Sequence, residues 1–347
     1  MIITLILFIL ILGITILVHE FGHFIFAKMA GVHVYEFALG FGPVIFKKIA
    51  KDGTIYAIRA IPLGGFVSMA GEEVDYDAKK HKGKNMQDKT FIQRFLIMFM
   101  GVGNNFIFAF LVLLLIGFIY GAPNLAPIIT DVSENYPAAV AGLDSGDKVL
   151  SINGNKVKYI DDISLYMTLA DLKQPLKFEV EKENGTIEKY SIIPEKQVVD
   201  EQESYIVGIT LAKTAERGFF KSFEFAFKQE MAIFKQMIIV LKSLFTGDLS
   251  VNKLSGPIGI YSIVDQYKEQ GLNSLLYLVA LLSVNVGIIN LIPLPAFDGG
   301  RILFLIIEKL KGSPINPKLE NTIHSIGFIL LMILMIYITF NDILNLF

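Results

Sequence analysis

Within an apolar run the chain reads Leu17-Val18-His19-Glu20-Phe21-Gly22-His23-Phe24. On a helix, His19 and His23 project from one face and Glu20 lies beside them. Two neutral imidazoles and one further protein ligand can hold Zn²⁺ and leave its fourth position for a water, whose pKa falls to about 7. Glu20 can then take that water's proton as it attacks a peptide carbonyl, and pass it to the leaving amine. A carboxylate inside a membrane helix costs roughly 2.5–3.5 kcal/mol on insertion scales, so it needs a purpose; a polar packing face or a proton relay are the alternatives to a metal site. The third ligand is expected from another apolar segment, Ser283 to Arg301, where Pro293 and Pro295 stop a helix and Gly299-Gly300 follow. Asp298 is the only acid from Leu272 to Leu305 and is the candidate. Its other reading, a helix N-cap, is compatible with ligation.

These residues must be positioned by membrane helices. The 347 residues are 53% hydrophobic and 18% charged, with a mean hydropathy of +0.55, which describes a membrane protein with water-exposed parts. A net charge of −2 and a pI near 6.2 argue against nucleic acid as a partner. With no cysteine, thiolate metal sites, disulfides and cysteine nucleophiles are excluded. Four stretches reach the roughly 20 residues a span requires: Met1 to Ala27, Phe95 to Tyr120, Leu272 to about Pro293, and Thr322 to Phe340. The first lacks a basic leader and a cleavage site, so it reads as a retained span rather than a signal peptide. Lys and Arg crowd the loops between spans one and two and between spans three and four, which predicts both loops to be cytoplasmic. Both termini and the long segment from about Gly121 to Gly271 are then extracytoplasmic. His19, about 27 Å along its helix at ~1.5 Å per residue, falls toward the cytoplasmic side of the plasma membrane. Phe219 to Phe245 is amphipathic, with Phe223, Phe227, Phe234, Met237, Leu241 and Leu244 mostly on one stripe, and is predicted to lie on the bilayer surface.

The motif His19-Glu20-Phe21-Gly22-His23, together with Asn290 to Gly299, resembles the site-2 protease family of intramembrane zinc metalloproteases, in particular its bacterial RseP-like branch. Phe41-Gly42-Pro43, Ile61 to Glu72 and Leu254 to Ile260 are similar to further elements of that family, so the likeness covers nearly the whole chain. It implies zinc held by His19, His23 and Asp298, with Glu20 as general base. Asn290 corresponds to an asparagine that bonds substrate or the developing oxyanion, and Asn285 to a position that contacts the substrate backbone. Phe297 stands where a leucine is usual. Gly101 to Phe106 is similar to a Gly-Pro-x-x-Asn-Phe element with Val102 in place of proline; helix–helix bonding and a role near the substrate both stay open for Asn104 and Asn105. The substrates implied are transmembrane proteins, such as single-span anti-sigma factors, or remnant signal peptides.

The expected fold is a polytopic α-helical membrane protein of four transmembrane helices, with a cytoplasmic-side re-entrant β-hairpin and one extracytoplasmic PDZ-like α+β domain. Residues 1–120 carry spans one and two, the zinc motif and the hairpin; 121–213 form the PDZ-like domain; 214–271 are an amphipathic linker on the membrane surface; 272–347 carry spans three and four. Strand-like runs and glycines at 142, 146 and 154 mark the PDZ-like segment. Its Tyr205 to Ile209 run resembles a loop that receives a peptide C-terminus, a role that competes with simple steric filtering. Val44 to Ile49 and Thr54 to Ala60 flank Lys51-Asp52-Gly53, a hairpin turn signal. The resemblance implies that this hairpin's edge pairs with an extended substrate. His33, His81 and His324 lack ligand-spaced partners and are read as structural or solvated. A catalytically silent PDZ-containing adaptor and a metal transporter are the rival functions. The intact ligand set with a base disfavours the first, and the single ligand cluster disfavours the second.

Overall fold

The computed structural model describes residues 1–72, 79–199, 202–211 and 215–344. The helices in chain order are α1 (Ile2–Met29), α2 (Phe91–Tyr120), α3 (Pro137–Ala141), α4 (Ile160–Leu169), α5 (Phe219–Thr246), α6 (Pro257–Glu269), α7 (Leu272–Leu291), α8 (Asp298–Lys311) and α9 (Pro317–Leu344). Four of them, α1, α2, α7 and α9, are long and apolar enough to cross a membrane. Their length follows from uninterrupted apolar sequence, and α9 leaves most of its apolar side chains exposed, as a lipid-facing helix would. Contacts divide the chain into two compact units, Met1–Leu113 with Ser250–Phe347, and Leu114–Leu249.

In the first unit, α1 and α2 meet through glycine. A Cβ on Gly22 would fall 1.9 Å from the Met100 carbonyl oxygen, so no other residue permits this approach. Phe8 and Ile11 of α1 pack with Val264 of α6 and Leu278 of α7. The Leu254 to Ile260 stretch starts α6, whose first amides, left without intrahelical acceptors at Gly256 and Gly259, donate to the Asp342 carboxylate of α9 at 3.2 and 2.8 Å.

Between α1 and α2 lie β1 (Val34–Ile49) and β2 (Ile55–Met69), longer than the hairpin expected from the sequence. Val44–Ile49 pairs with Ile55–Arg59 around the expected turn, while Val34–Leu39 registers both with Gly65–Met69 and with Ile55–Ile58. The two strands therefore fold over into a four-segment sheet. Glycines 40, 42 and 64, all at positive φ, make the bends, and Arg59 closes one of them by pairing with Glu36 and donating to the Gly42 carbonyl at 2.7 Å. Beside the sheet, the His33 and His81 rings stack with centroids 4.1 Å apart.

The second unit has its own core, including Ile129, Val149, Phe178 and Ile192, around a four-stranded sheet of Asn155–Lys156, Lys148–Ile152, Leu176–Glu181 and Ile187–Ile192. Burial alone would lower the Lys182 ammonium, yet Asp147 at 2.9 Å, with Tyr190 and Asp144, holds it above the usual lysine range. Within the Tyr205 to Ile209 run, Val207 and Gly208 accept backbone bonds from Ala138 and Ser133, and Ile209–Thr210 pairs with Asp131–Val132.

The helix expected over Phe219 to Phe245 is present as α5, and its inward face is a different one from the phenylalanine stripe expected to meet the bilayer. Ser222, Phe225, Ala226, Gln229, Ala232 and Ile233 are buried, whereas Phe223 and Phe227 are exposed. Small residues allow close approach, and Gln229 and Lys235 bond Asp161 and Asp162 of α4 at 2.7 and 2.8 Å. The segment expected as one linker, 214–271, thus supplies α5 to the second unit and α6 to the first. The expected domain boundary at 213 lies outside the described residues.

Candidate active site

His19 and His23 lie one turn apart near the end of α1, and both are buried. Asp298 arrives from a different part of the chain. After Leu291 the backbone leaves the helix through Ile292 to Phe297, then re-enters one as α8, with Phe297 at the N-cap and Asp298 the first helical residue. Ala296 takes a left-handed φ of 78° within that loop, and a Cβ on Gly299 would meet the Leu291 and Ile292 carbonyls below 2.5 Å. The loop is therefore compact, and it delivers Asp298 Oδ2 to 3.0 Å from His19 Nε2 and 3.2 Å from His23 Nε2. The two Nε2 atoms are 3.3 Å apart.

The orientation of each ring is held from behind. His23 Nδ1 lies 2.8 Å from the Ile97 carbonyl, which can only accept, so that nitrogen carries the proton and Nε2 presents a lone pair. His19 Nδ1 faces the Asn105 side-chain amide at 3.3 Å. Among the described residues the buried Asn105 Oδ1 atom has no partner, and exchanging the amide's O and N would let it accept from an Nδ1–H on His19. Ser283 of α7 donates to the Asn105 carbonyl at 2.9 Å, and Asn104 donates to the Val18 carbonyl at 3.2 Å. Asn105 therefore buttresses a motif histidine, and Asn104 joins α2 to α1.

Three electron-rich atoms converge here, and the buried Asp298 Oδ2 has no hydrogen-bond donor among the described residues. Lone pairs repel unless a cation lies among them. Ligands at ~2.0–2.1 Å from a tetrahedral zinc are separated by roughly 3.3–3.4 Å, close to the 3.0, 3.2 and 3.3 Å observed. The donor set of two imidazoles and one carboxylate also suits zinc in a site that keeps a position open.

Glu20 points into the same cavity, of about 330 Å³, which is lined also by Phe66, Val67, Asn290 and Arg301. Its Oε2 accepts the Val67 backbone N–H at 3.1 Å, so the β2 end holds the carboxylate in place. Asn290 is a lining residue, whereas Asn285, further back along α7, is not among them. Ile97 and His324 lie outside the motifs, and Val67 and Gly101 lie inside them without an assigned role; the contacts of all four join positions far apart in the chain.

Gly101 of α2 faces His23. A Cβ there would fall 2.2 Å from Nε2, so Gly101→Ala must push the ring away from Asp298. We expect this variant to bind zinc at least about 10-fold more weakly than wild type in a chelator competition.

The profile of Peptidase family M50 matches residues 7–334. The chain belongs to peptidase family M50. This is the site-2 protease family, and this M50 protein is a zinc metalloprotease. It is 35% identical to "Probable protease eep" of Enterococcus faecalis, over 99% of each chain. It is 32% identical to "Regulator of sigma-W protease RasP" of Bacillus subtilis and to "Zinc metalloprotease RasP" of Bacillus licheniformis, again over 99% of each. The alignment to the Enterococcus protein runs over 432 positions, more than the 347 residues of this M50 chain, so that relative carries residues this one lacks.

Proposed function

We propose that this protease hydrolyses a peptide bond within or near the transmembrane segment of another membrane protein, with His19, His23 and Asp298 as the zinc ligands and Glu20 as the general base. The observation that carries the reading is the convergence of three lone-pair atoms beside a carboxylate in one cavity bounded by apolar helices. Zinc held there supplies a Lewis acid that makes water nucleophilic at neutral pH and polarises the scissile carbonyl. Glu20 takes the proton of the attacking water and returns it to the amine nitrogen of the departing chain. The Val67 N–H bond restricts the carboxylate to the geometry that transfer needs. Asn290, lining the cavity, donates to the oxygen on which negative charge develops. Asn285 belongs to the approach of the substrate backbone.

A helical substrate shields its carbonyls, so a segment must be extended before cleavage. Gly65–Met69 is the part of the sheet that supports strand addition there: it pairs on one side with Val34–Leu39 and contributes Phe66, Val67 and Met69 to the cavity lining. Ile45, Phe46, Ile49 and Ile58 are exposed on the sheet, an arrangement suited to immersion in lipid and to a re-entrant position. Single-span regulators such as anti-sigma factors, and remnant signal peptides, are the substrate class; the name of the Bacillus subtilis relative, which refers to sigma-W, supports the first. The test is cleavage of a single-span model substrate by the purified protein, with Glu20→Gln as comparison.

Residues 121–213, within the second unit, serve as the PDZ-like domain, either receiving a peptide C-terminus at Tyr205 to Ile209 or limiting access by size, and they lie outside the cell. The Lys and Arg content of the loops between spans supports this topology. Ser145, in an exposed turn before Lys148, reports on it. We expect Ser145→Cys to react in intact cells with a membrane-impermeant thiol reagent; labelling only after lysis reverses the orientation.

A further inference from the structure

We infer that His324 of α9 is a positioning residue for the zinc site, holding the loop that delivers Asp298. The inference rests on the ligand assignment proposed above. The loop's tight point is Ala296, a non-glycine residue at a φ of 78°, a conformation that persists only where surrounding contacts impose it. Its N–H donates to His324 Nδ1 at 3.1 Å, 28 residues further along the chain. Accepting that bond places the imidazole proton on Nε2, a buried atom with no partner among the described residues. Among those residues the ring is thus held by the bond at Nδ1 alone, which packing by itself would not select.

A second contact seats α9 on the same loop. A Cβ on Gly327 would fall 2.4 Å from Pro295 Cβ and 2.8 Å from its carbonyl carbon, so glycine is needed one turn beyond His324 for α9 to approach. Gly300 closes the arrangement from the α8 side, since a Cβ there would meet the Leu294 carbonyl oxygen at 2.3 Å and His324 Cε1 at 3.3 Å. Ala296 is two residues from Asp298. A turn that relaxes there turns the carboxylate away from His19 and His23, and a displacement of about 1 Å is enough to disrupt such a site.

The test is zinc affinity of the full-length, detergent-solubilised protein, measured by competition with a chromogenic chelator. Leucine at 324 keeps bulk and removes the acceptor, asparagine places Oδ1 where Nδ1 was, and glutamine moves the acceptor one bond outward. We expect His324→Leu and His324→Gln to weaken zinc binding on the order of 10–100-fold, as loss of an outer-shell partner does, and His324→Asn to stay within about 3-fold of wild type. Glutamine, polar and conservative, keeps the comparison valid should leucine impair folding. Wild-type affinity in both weakened variants overturns the proposal, as does an asparagine variant as weak as leucine. Asp298→Ala measured in parallel separates the two readings: unchanged affinity there removes the ligand assignment itself, whereas lost affinity there beside an unaffected His324→Gln removes only the role of His324.

Discussion

Glu20→Gln is expected to lower cleavage of a single-span substrate by a factor on the order of 10²–10⁴ while leaving bound zinc near the wild-type amount. Glutamine has the size of glutamate and retains an oxygen that can accept the Val67 N–H, so the cavity and the sheet contact persist. What disappears is the group able to take a proton from water and return it to the amine. The metal is retained because Glu20 is outside the trio of converging atoms, which belong to His19, His23 and Asp298. Both quantities belong in one experiment: substrate conversion followed by gel mobility, and zinc by elemental analysis of the same preparation. Cleavage equal to wild type would remove Glu20 from its role. Loss of zinc together with activity would make it a ligand or a structural support instead.

Asp298→Ala carries the second large effect. The carboxylate is the only negative group among the three converging donors, and its Oδ2 is buried without a hydrogen-bond donor among the described residues. Removing it leaves two imidazoles 3.3 Å apart, too few ligands for a three-ligand site. Zinc affinity should fall by more than the roughly 10–100-fold typical of an outer-shell loss, and activity with it. Asp298→Asn separates charge from shape, since it keeps an oxygen at the same reach; it should bind zinc better than alanine and worse than wild type. Full zinc occupancy in the alanine variant, measured by chelator competition, would move the metal elsewhere.

Much of the site is legible in the amino-acid sequence. His19, Glu20 and His23 declare themselves because their spacing is local: a helix alone places the two imidazoles on one face. The four spans are equally local, since the bilayer requires a minimum apolar length and the chain either has it or lacks it. Asp298 is legible for a related reason, as the only carboxylate in an apolar segment broken by prolines and followed by glycines. Other features stay silent. The phenylalanine stripe of α5 satisfies a helical period and is exposed at Phe223 and Phe227, but nothing local announces the opposite, buried face bearing Ser222, Ala226 and Gln229, which is set by partners on α4 that demand polar atoms and close contact. The hairpin turn at Lys51-Asp52-Gly53 is evident, but its strands extend to Val34 and Met69, and the segment beside the cavity, Gly65–Met69, lies outside the turn's reach.

The sequence by itself therefore determined the residue types proposed as metal ligands, the carboxylate proposed as base beside them, and the apolar helices that carry them. Only the tertiary structure decided how they are aimed: the Ile97 carbonyl behind His23, Asn105 behind His19, Val67 holding Glu20, Gly101 leaving room for an imidazole, and His324 bracing the turn before Asp298. Each of those contacts joins positions 28 to 86 residues apart, or depends on the absence of a side chain. Helical period and hydropathy describe neighbours along the chain and the surrounding solvent. A carbonyl or an amide supplied by a distant helix leaves no periodic trace, because its position is set by where packed helices cross.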